Sequence, residues 1–206
     1  MSWLDLVLMT EVFVTLFVIM DPVGTVPIFL ALTGGRSAAA MKRAAWQAVA
    51  VSFSVIVAFA FFGQQILGYL HISLPALQMA GGLLLLLIAL ELLTGKGQSV
   101  SSPGTANANV ALVPLGTPMM AGPGAIVATM VFSDGVEGVD TFAGVALGVL
   151  LVHVALWIAM RFSVPILKVL RESGVLLVSR IAGLLLSAIA VQLMADAVRA
   201  FMAGQG

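Results

Sequence analysis

The stretch whose reading decides the fold is Met20 to Phe29, MDPVGTVPIF. It sets a carboxylate, two prolines and a glycine inside an apolar run that extends over roughly 7–33. Asp21-Pro22 has the form of a helix N-cap followed by proline at the first helical position. Pro27 has no N–H and crowds the carbonyl of Val23, while Gly24 permits backbone conformations that other residues avoid. Together they predict an interrupted helix whose second half begins near Pro22. At about 1.5 Å of rise per residue from position 8, Asp21 lies ~20 Å along the segment, not far from the middle of a hydrocarbon core about 30 Å thick.

The composition around that stretch is that of a membrane protein. Of 206 residues, 61% are apolar and 9% charged, whereas a soluble domain carries about 25% charged residues. Nine cationic and nine acidic residues cancel and leave no basic face for nucleic acid. The absence of cysteine excludes disulfides, thiolate metal sites and a cysteine nucleophile. Two histidines alone make no metal site, and no GxxxxGK[ST] loop is present to couple ATP within the chain. Asp21 is the only aspartate deep in a span, so a paired-carboxylate protease lacks its second acid; no G-x-S-x-G motif stands out either. No Lys or Arg precedes Arg36, so the first apolar run is expected to stay as a membrane helix rather than leave as a signal peptide.

Apolar runs of about 20 residues predict six spans, roughly 7–33, 44–67, 74–94, 110–132, 142–162 and 181–202. The more polar segment 163–180, with Pro165, Lys168, Arg171 and Glu172, is expected at the interface or in a loop. Residues 95–109, GKGQSVSSPGTANAN, read as a flexible cytoplasmic linker. Arg36, Lys42, Arg43, Lys96, Arg161, Lys168, Arg171 and Arg180 then fall on one side of the membrane, the cytoplasmic one by the positive-inside rule. The other side has Arg199 and an acidic loop with Asp134, Glu137 and Asp140. Both termini are expected on the outer, periplasmic side of the cell inner membrane.

A repeat runs through the chain. GLLLLLIALELL (82–93) aligns with GLLLSAIAVQLM (183–194), identical at seven of twelve positions, and Pro22-Val-Gly-Thr25 recurs as Pro114-Leu-Gly-Thr117. The halves 1–94 and 110–206 each hold three spans, and an odd number forces the second half to enter the membrane inverted. The expected fold is an all-α membrane protein of six transmembrane helices in two inverted three-helix repeats, with helices 1 and 4 interrupted at their Pro/Gly motifs. Irregular backbone at membrane depth is tolerated only where it is buried in protein or lines a watery cavity. The two breaks should therefore meet and build a polar site. Its N–H groups suit a carboxylate, and its carbonyls, with Asp21, Thr25 and Thr117, suit an ammonium group or a cation. Gly24, Gly116, Gly122 and Gly124 are expected to add backbone contacts, and Pro22, Pro27, Pro114, Pro118 and Pro123 to mark the breaks and hinges. The plainer reading is a pair of proline kinks, with Asp21 capping one of them.

Glu91 lies four residues before Gly95, where it reaches headgroups or serves an inner gate or a proton. His153, near the middle of a span, either relays a proton or bonds as a neutral ring to a neighbouring helix. Gly144 and Gly148 form a GxxxG pair for close helix contact. Asp196 and Arg199, three apart, should pair with each other.

DPVGTVPIFLALT (21–33) and VPLGTPMMAGPGAI (113–126), separated by three-span spacing, resemble the MarC family of bacterial membrane proteins over essentially the whole chain. Its SnatA-like members transport small neutral amino acids such as glycine and alanine; others are linked by name to multiple antibiotic resistance. The resemblance implies a secondary transporter working by alternating access, without a cofactor and coupled to H+ or Na+. Its partners would be a small neutral amino acid and the lipid bilayer, and small-residue faces are compatible with a homo-oligomer. A membrane scaffold or regulator of drug tolerance is the alternative, followed by an intramembrane enzyme.

Overall fold

The computed structural model describes residues 5–33, 36–94 and 120–204, and every regular element among them is an α-helix. Helices α1 (Leu6–Met20) and α2 (Pro22–Thr33) share the first apolar run and part at Asp21. After them come α3 (Ala38–Leu70), α4 (Leu74–Thr94), α5 (Pro123–Asp134), α6 (Val139–Arg161) and α7 (Ser163–Met202). Local chemistry sets several of the ends. Asp5 Oδ1 accepts the Leu8 N–H at 2.9 Å at the head of α1, and Ser37 Oγ accepts the Ala40 N–H at 3.3 Å at the head of α3. His71, in the left-handed region (φ 55°, ψ 37°), closes α3.

Among the described residues, five stretches are long and apolar enough to cross a bilayer: Leu6–Leu30, Ala38–Leu70, Leu74–Thr94, Val139–Arg161 and Ser173–Met202. The expected fourth span, 110–132, falls largely outside the described residues, as does the linker 95–109; α5 is the part of that span that is seen. The segment 163–180, expected at the interface or in a loop, is not a loop. It is helical, interrupted at Arg171 (φ 55°, ψ 171°), and the last apolar stretch begins at Ser173 rather than near position 181. Lys168 on the helix and Arg171 at its break are exposed, while Val175 and Ser179 turn inward and are buried.

The outside of the bundle is apolar. Leu83, Leu84, Leu87, Ile88 and Leu90 of α4 are exposed, as are Leu184, Leu185 and Val191 of α7. Continuous apolar surface on this scale is what lipid, not water, accommodates. Inside, Val12, Leu16 and Met20 of α1, Phe29 of α2, Ala45, Ala48 and Ile56 of α3, and Val152 and Leu156 of α6 form one buried cluster with Met120, Ala121 and Ala125.

Small residues let the helices approach closely. A Cβ on Gly148 would come within 2.8 Å of the Val12 Cβ and 3.0 Å of the Met9 carbonyl oxygen, so α6 lies tightly on α1, as the Gly144/Gly148 spacing predicts. Along the seam of α4 and α7, Gly82 faces the Ala190 carbonyl and Met194, while Gly183 faces the Ala89 carbonyl and Leu92. Helix α2 packs on α6 and α7, and α5 packs on α3 and α4.

The two ends of the bundle differ in charge. At one end Lys42 and Arg161 border the same cleft with Ala38 and Ser163. At the other, Gln64 near the end of α3 donates to Asp134, and the Asp5 N–H donates to the Asp140 carbonyl at 3.4 Å.

Candidate functional site

The break at Asp21 follows from the residue behind it. Proline disfavours the α conformation for the residue that precedes it, and here α1 ends at Met20 with Asp21 outside the right-handed helical region. Asp21 instead adopts the left-handed region (φ 39°, ψ 72°), and its N–H donates to the Phe17 carbonyl at 3.1 Å. Aspartate is among the few residues besides glycine that occupy this region, at a cost of order 1–2 kcal/mol. The same residue then starts α2: Oδ1 accepts the Gly24 N–H at 2.9 Å, which contributes a capping energy of about 1 kcal/mol. Thr25, buried, donates its hydroxyl to the Asp21 carbonyl at 2.9 Å. One carboxyl oxygen is thereby used. The other, Oδ2, is buried and has no hydrogen-bond partner.

Gly24 does not supply the unusual backbone angle expected of it; Asp21 does. What Gly24 supplies is space. A Cβ there would overlap Asp21 Oδ2 and stand 3.2 Å from Ser179 Oγ. Pro27 likewise causes no break, for α2 runs through it from Pro22 to Thr33. One proline removes a single helical hydrogen bond, and this short helix, packed on α6 and α7, continues across that loss.

Ser179 escaped the reading of the sequence because the segment that carries it was placed outside the spans. It is 7% exposed and reaches the break from α7. A signal was present: the match of 82–93 with 183–194, extended four residues upstream, sets Ser179 opposite Gln78.

The second motif is seen in part. Pro114, Gly116, Thr117 and Pro118 lie outside the described residues. Gly122 is the extended residue before α5 (φ −66°, ψ 164°), with Pro123 first in the helix. Met120 and Ala121, just before Gly122, share one buried cluster with Met20, just before Asp21. Gly124 is packed so closely that a Cβ would overlap the side chain of Leu85 on α4.

His153 is engaged elsewhere. Its Nδ1 lies 2.7 Å from the Val149 carbonyl oxygen, its Nε2 lies 3.2 Å from Ser52 Oγ on α3, and Phe53 meets it edge-on. A carbonyl only accepts, so Nδ1 carries the hydrogen, and Nε2 of the neutral ring accepts from the Ser52 hydroxyl. Glu91 is exposed on α4, one turn from its end. Asp196 and Arg199 pair at 2.9 Å on the surface, and Gln192 bonds to the same carboxylate. No cluster of three or more metal-ligating side chains exists among the described residues.

Several long apolar helices with an apolar exterior define a multi-pass integral membrane protein, and at the break in its first apolar run one carboxyl oxygen is bonded and the other is buried without a partner. Residues 6–202 match the MarC family of integral membrane proteins, and the chain belongs to that family. It is 35% identical to the membrane protein YvbG of Bacillus subtilis, over 88% of this chain and 89% of the relative. It is 33% identical to a membrane protein of Methanocaldococcus jannaschii, over 95% and 98%, so the family extends beyond bacteria. The inner membrane protein MarC of Escherichia coli is 32% identical over 87% and 88%. These names give a location and no activity. No solved structure matches the chain.

Proposed function

We propose that this chain is a secondary transporter of small neutral amino acids such as glycine and alanine. It works by alternating access between two inverted three-helix halves, with H+ or Na+ as the coupling ion. The observation that carries this reading is Asp21: a carboxyl group at a break inside an apolar bundle, with one oxygen holding the helix and the other buried without a partner. An uncompensated polar oxygen in such surroundings is costly unless something binds it. A substrate ammonium group or a coupling cation satisfies it.

Inverted symmetry is supported by recurrence in space as well as in sequence. Helices α2 and α5 begin at Pro22 and Pro123, and α3 and α6 at Ala38 and Val139, the same 101-residue step that separates Gly82 from Gly183. Contacts are reciprocal at that step: Gly82 meets Ala190 and Met194, while Gly183 meets Ala89 and Leu93, their counterparts. Ser52 bonds to His153, 101 residues on, and self-pairing of counterparts is the signature of a two-fold axis. The Pro-x-Gly-Thr match runs out of this register, because the described counterpart of Pro22 is Pro123 and not Pro114.

In this reading α2 and α5 are paired half-helices whose heads face the site, and the halves rock about the α4–α7 and α3–α6 seams. The basic end faces the cytoplasm and the acidic end the periplasm. The deciding experiment is uptake of labelled glycine and alanine into proteoliposomes under imposed proton or sodium gradients, for wild type and Asp21→Asn. Gradient-driven accumulation that disappears in the variant is the expected result. Wild-type protein, correctly inserted, that accumulates neither amino acid sinks the proposal.

A further inference from the structure

Ser179 Oγ and the buried Oδ2 of Asp21 approach the same point beside Gly24. Ser179 Oγ stands 3.2 Å from the point where a Cβ on Gly24 would sit, and that point overlaps Asp21 Oδ2, which bounds the separation of the two oxygens at about 5 Å. Oδ2 accepts no hydrogen bond, so the Ser179 hydroxyl does not donate to it. A serine or threonine in a membrane helix ordinarily donates to a carbonyl three or four residues back. Thr25, Thr33, Ser54 and Thr129 do so here, whereas Ser179 makes no such bond among the described residues. Ser179 as a residue is 7% exposed, and it comes from the other half of the chain.

We propose that Asp21 Oδ2 and Ser179 Oγ are joint ligands of one small cationic group, with Gly24, which lacks a Cβ, leaving room for the carboxylate. The inference rests on the transport reading and names the residue that completes the site. An ammonium nitrogen at about 2.7–2.9 Å from each of two oxygens bridges any separation up to about 5.5 Å, so the bounded gap fits. Asp21 supplies the countercharge and Ser179 a second acceptor, and the serine hydrogen stays free to donate to the rest of the ligand. An anion is repelled by the carboxylate, and an apolar group leaves Oδ2 unsatisfied. The ammonium of the substrate and a free monovalent ion have the same requirements.

The test uses the purified full chain in detergent. Its thermal midpoint is titrated with NaCl against choline chloride at constant ionic strength, and separately with glycine in choline chloride. A ligand of the folded state raises the midpoint with concentration. One of the two probes should stabilise the wild type, and the one that does identifies the source of the cation. Ser179→Ala and the near-isosteric Ser179→Cys should each raise the half-saturating concentration about tenfold, and Gly24→Ala should abolish the response. A wild type that responds to neither probe overturns the inference, as do Ser179 variants that titrate like the wild type. Proteoliposome uptake of glycine separates the two readings. Uptake alongside wild-type titration of the Ser179 variants removes Ser179 and leaves transport standing. A Ser179-dependent response without uptake of any neutral amino acid keeps the cation site and removes transport.

Discussion

Asp21 answers two demands with two oxygens, and they can be separated by substitution. Asparagine caps a helix about as well as aspartate. Asp21→Asn should therefore change stability by less than about 0.5 kcal/mol while uptake is lost, whereas Asp21→Ala should lose about a further 1 kcal/mol with the bond to the Gly24 N–H. Differential unfolding beside uptake reads both, and an Asp21→Asn protein that transports at the wild-type rate reduces the residue to a cap. Gly24 is decided by comparing magnitudes. Alanine gains about 0.8–1 kcal/mol over glycine in a helix, but here its Cβ overlaps a carboxylate that is itself pinned. Sterics win, so Gly24→Ala should lower the thermal midpoint. Gly68→Ala, with nothing within 4 Å of the new methyl, should raise it.

At the scale of elements, contact glycines set how closely the helices lie. A Cβ on Gly82 would meet Met194 Cγ at 2.7 Å and the Ala190 carbonyl at 2.9 Å, and one on Gly148 would meet Val12 at 2.8 Å. Backbone carbonyls cannot swing aside as a side-chain tip can. Gly82→Val and Gly148→Val should thus each cost about 1–3 kcal/mol, the range for overpacking a close seam. Gly135→Ala, whose nearest neighbour would be 3.9 Å away, is the control and should be near neutral. Thermal unfolding of the four proteins side by side checks this, and equal midpoints would deny that these seams are tight.

At the scale of the whole molecule, the prediction concerns which way it faces. The chain has no cysteine, so single cysteines report without background. Gly135→Cys at the acidic end and Ala39→Cys at the basic end both replace exposed residues. A membrane-impermeant maleimide should label the first in intact cells and the second only after permeabilisation. The reverse pattern would turn the bundle over.

The positions of the first three spans and of the fifth, the break beside Pro22 and the register of 82–93 against 183–194 were legible in the sequence. Each depends on residues near one another in the chain: apolar runs, a proline and the residue before it, a run of leucines. The structure alone decided that Gly24 provides room instead of a backbone angle, that Pro27 is carried within a helix, that 163–180 is helical, and that Gly124 serves packing against Leu85. It also decided that Ser179, read as lying outside the spans, stands beside Gly24 and Asp21, while His153 is occupied by Ser52 and Val149. The reason is physical. Hydropathy and propensity are properties of a segment, whereas the neighbour of a buried oxygen depends on how helices far apart in the chain fit together.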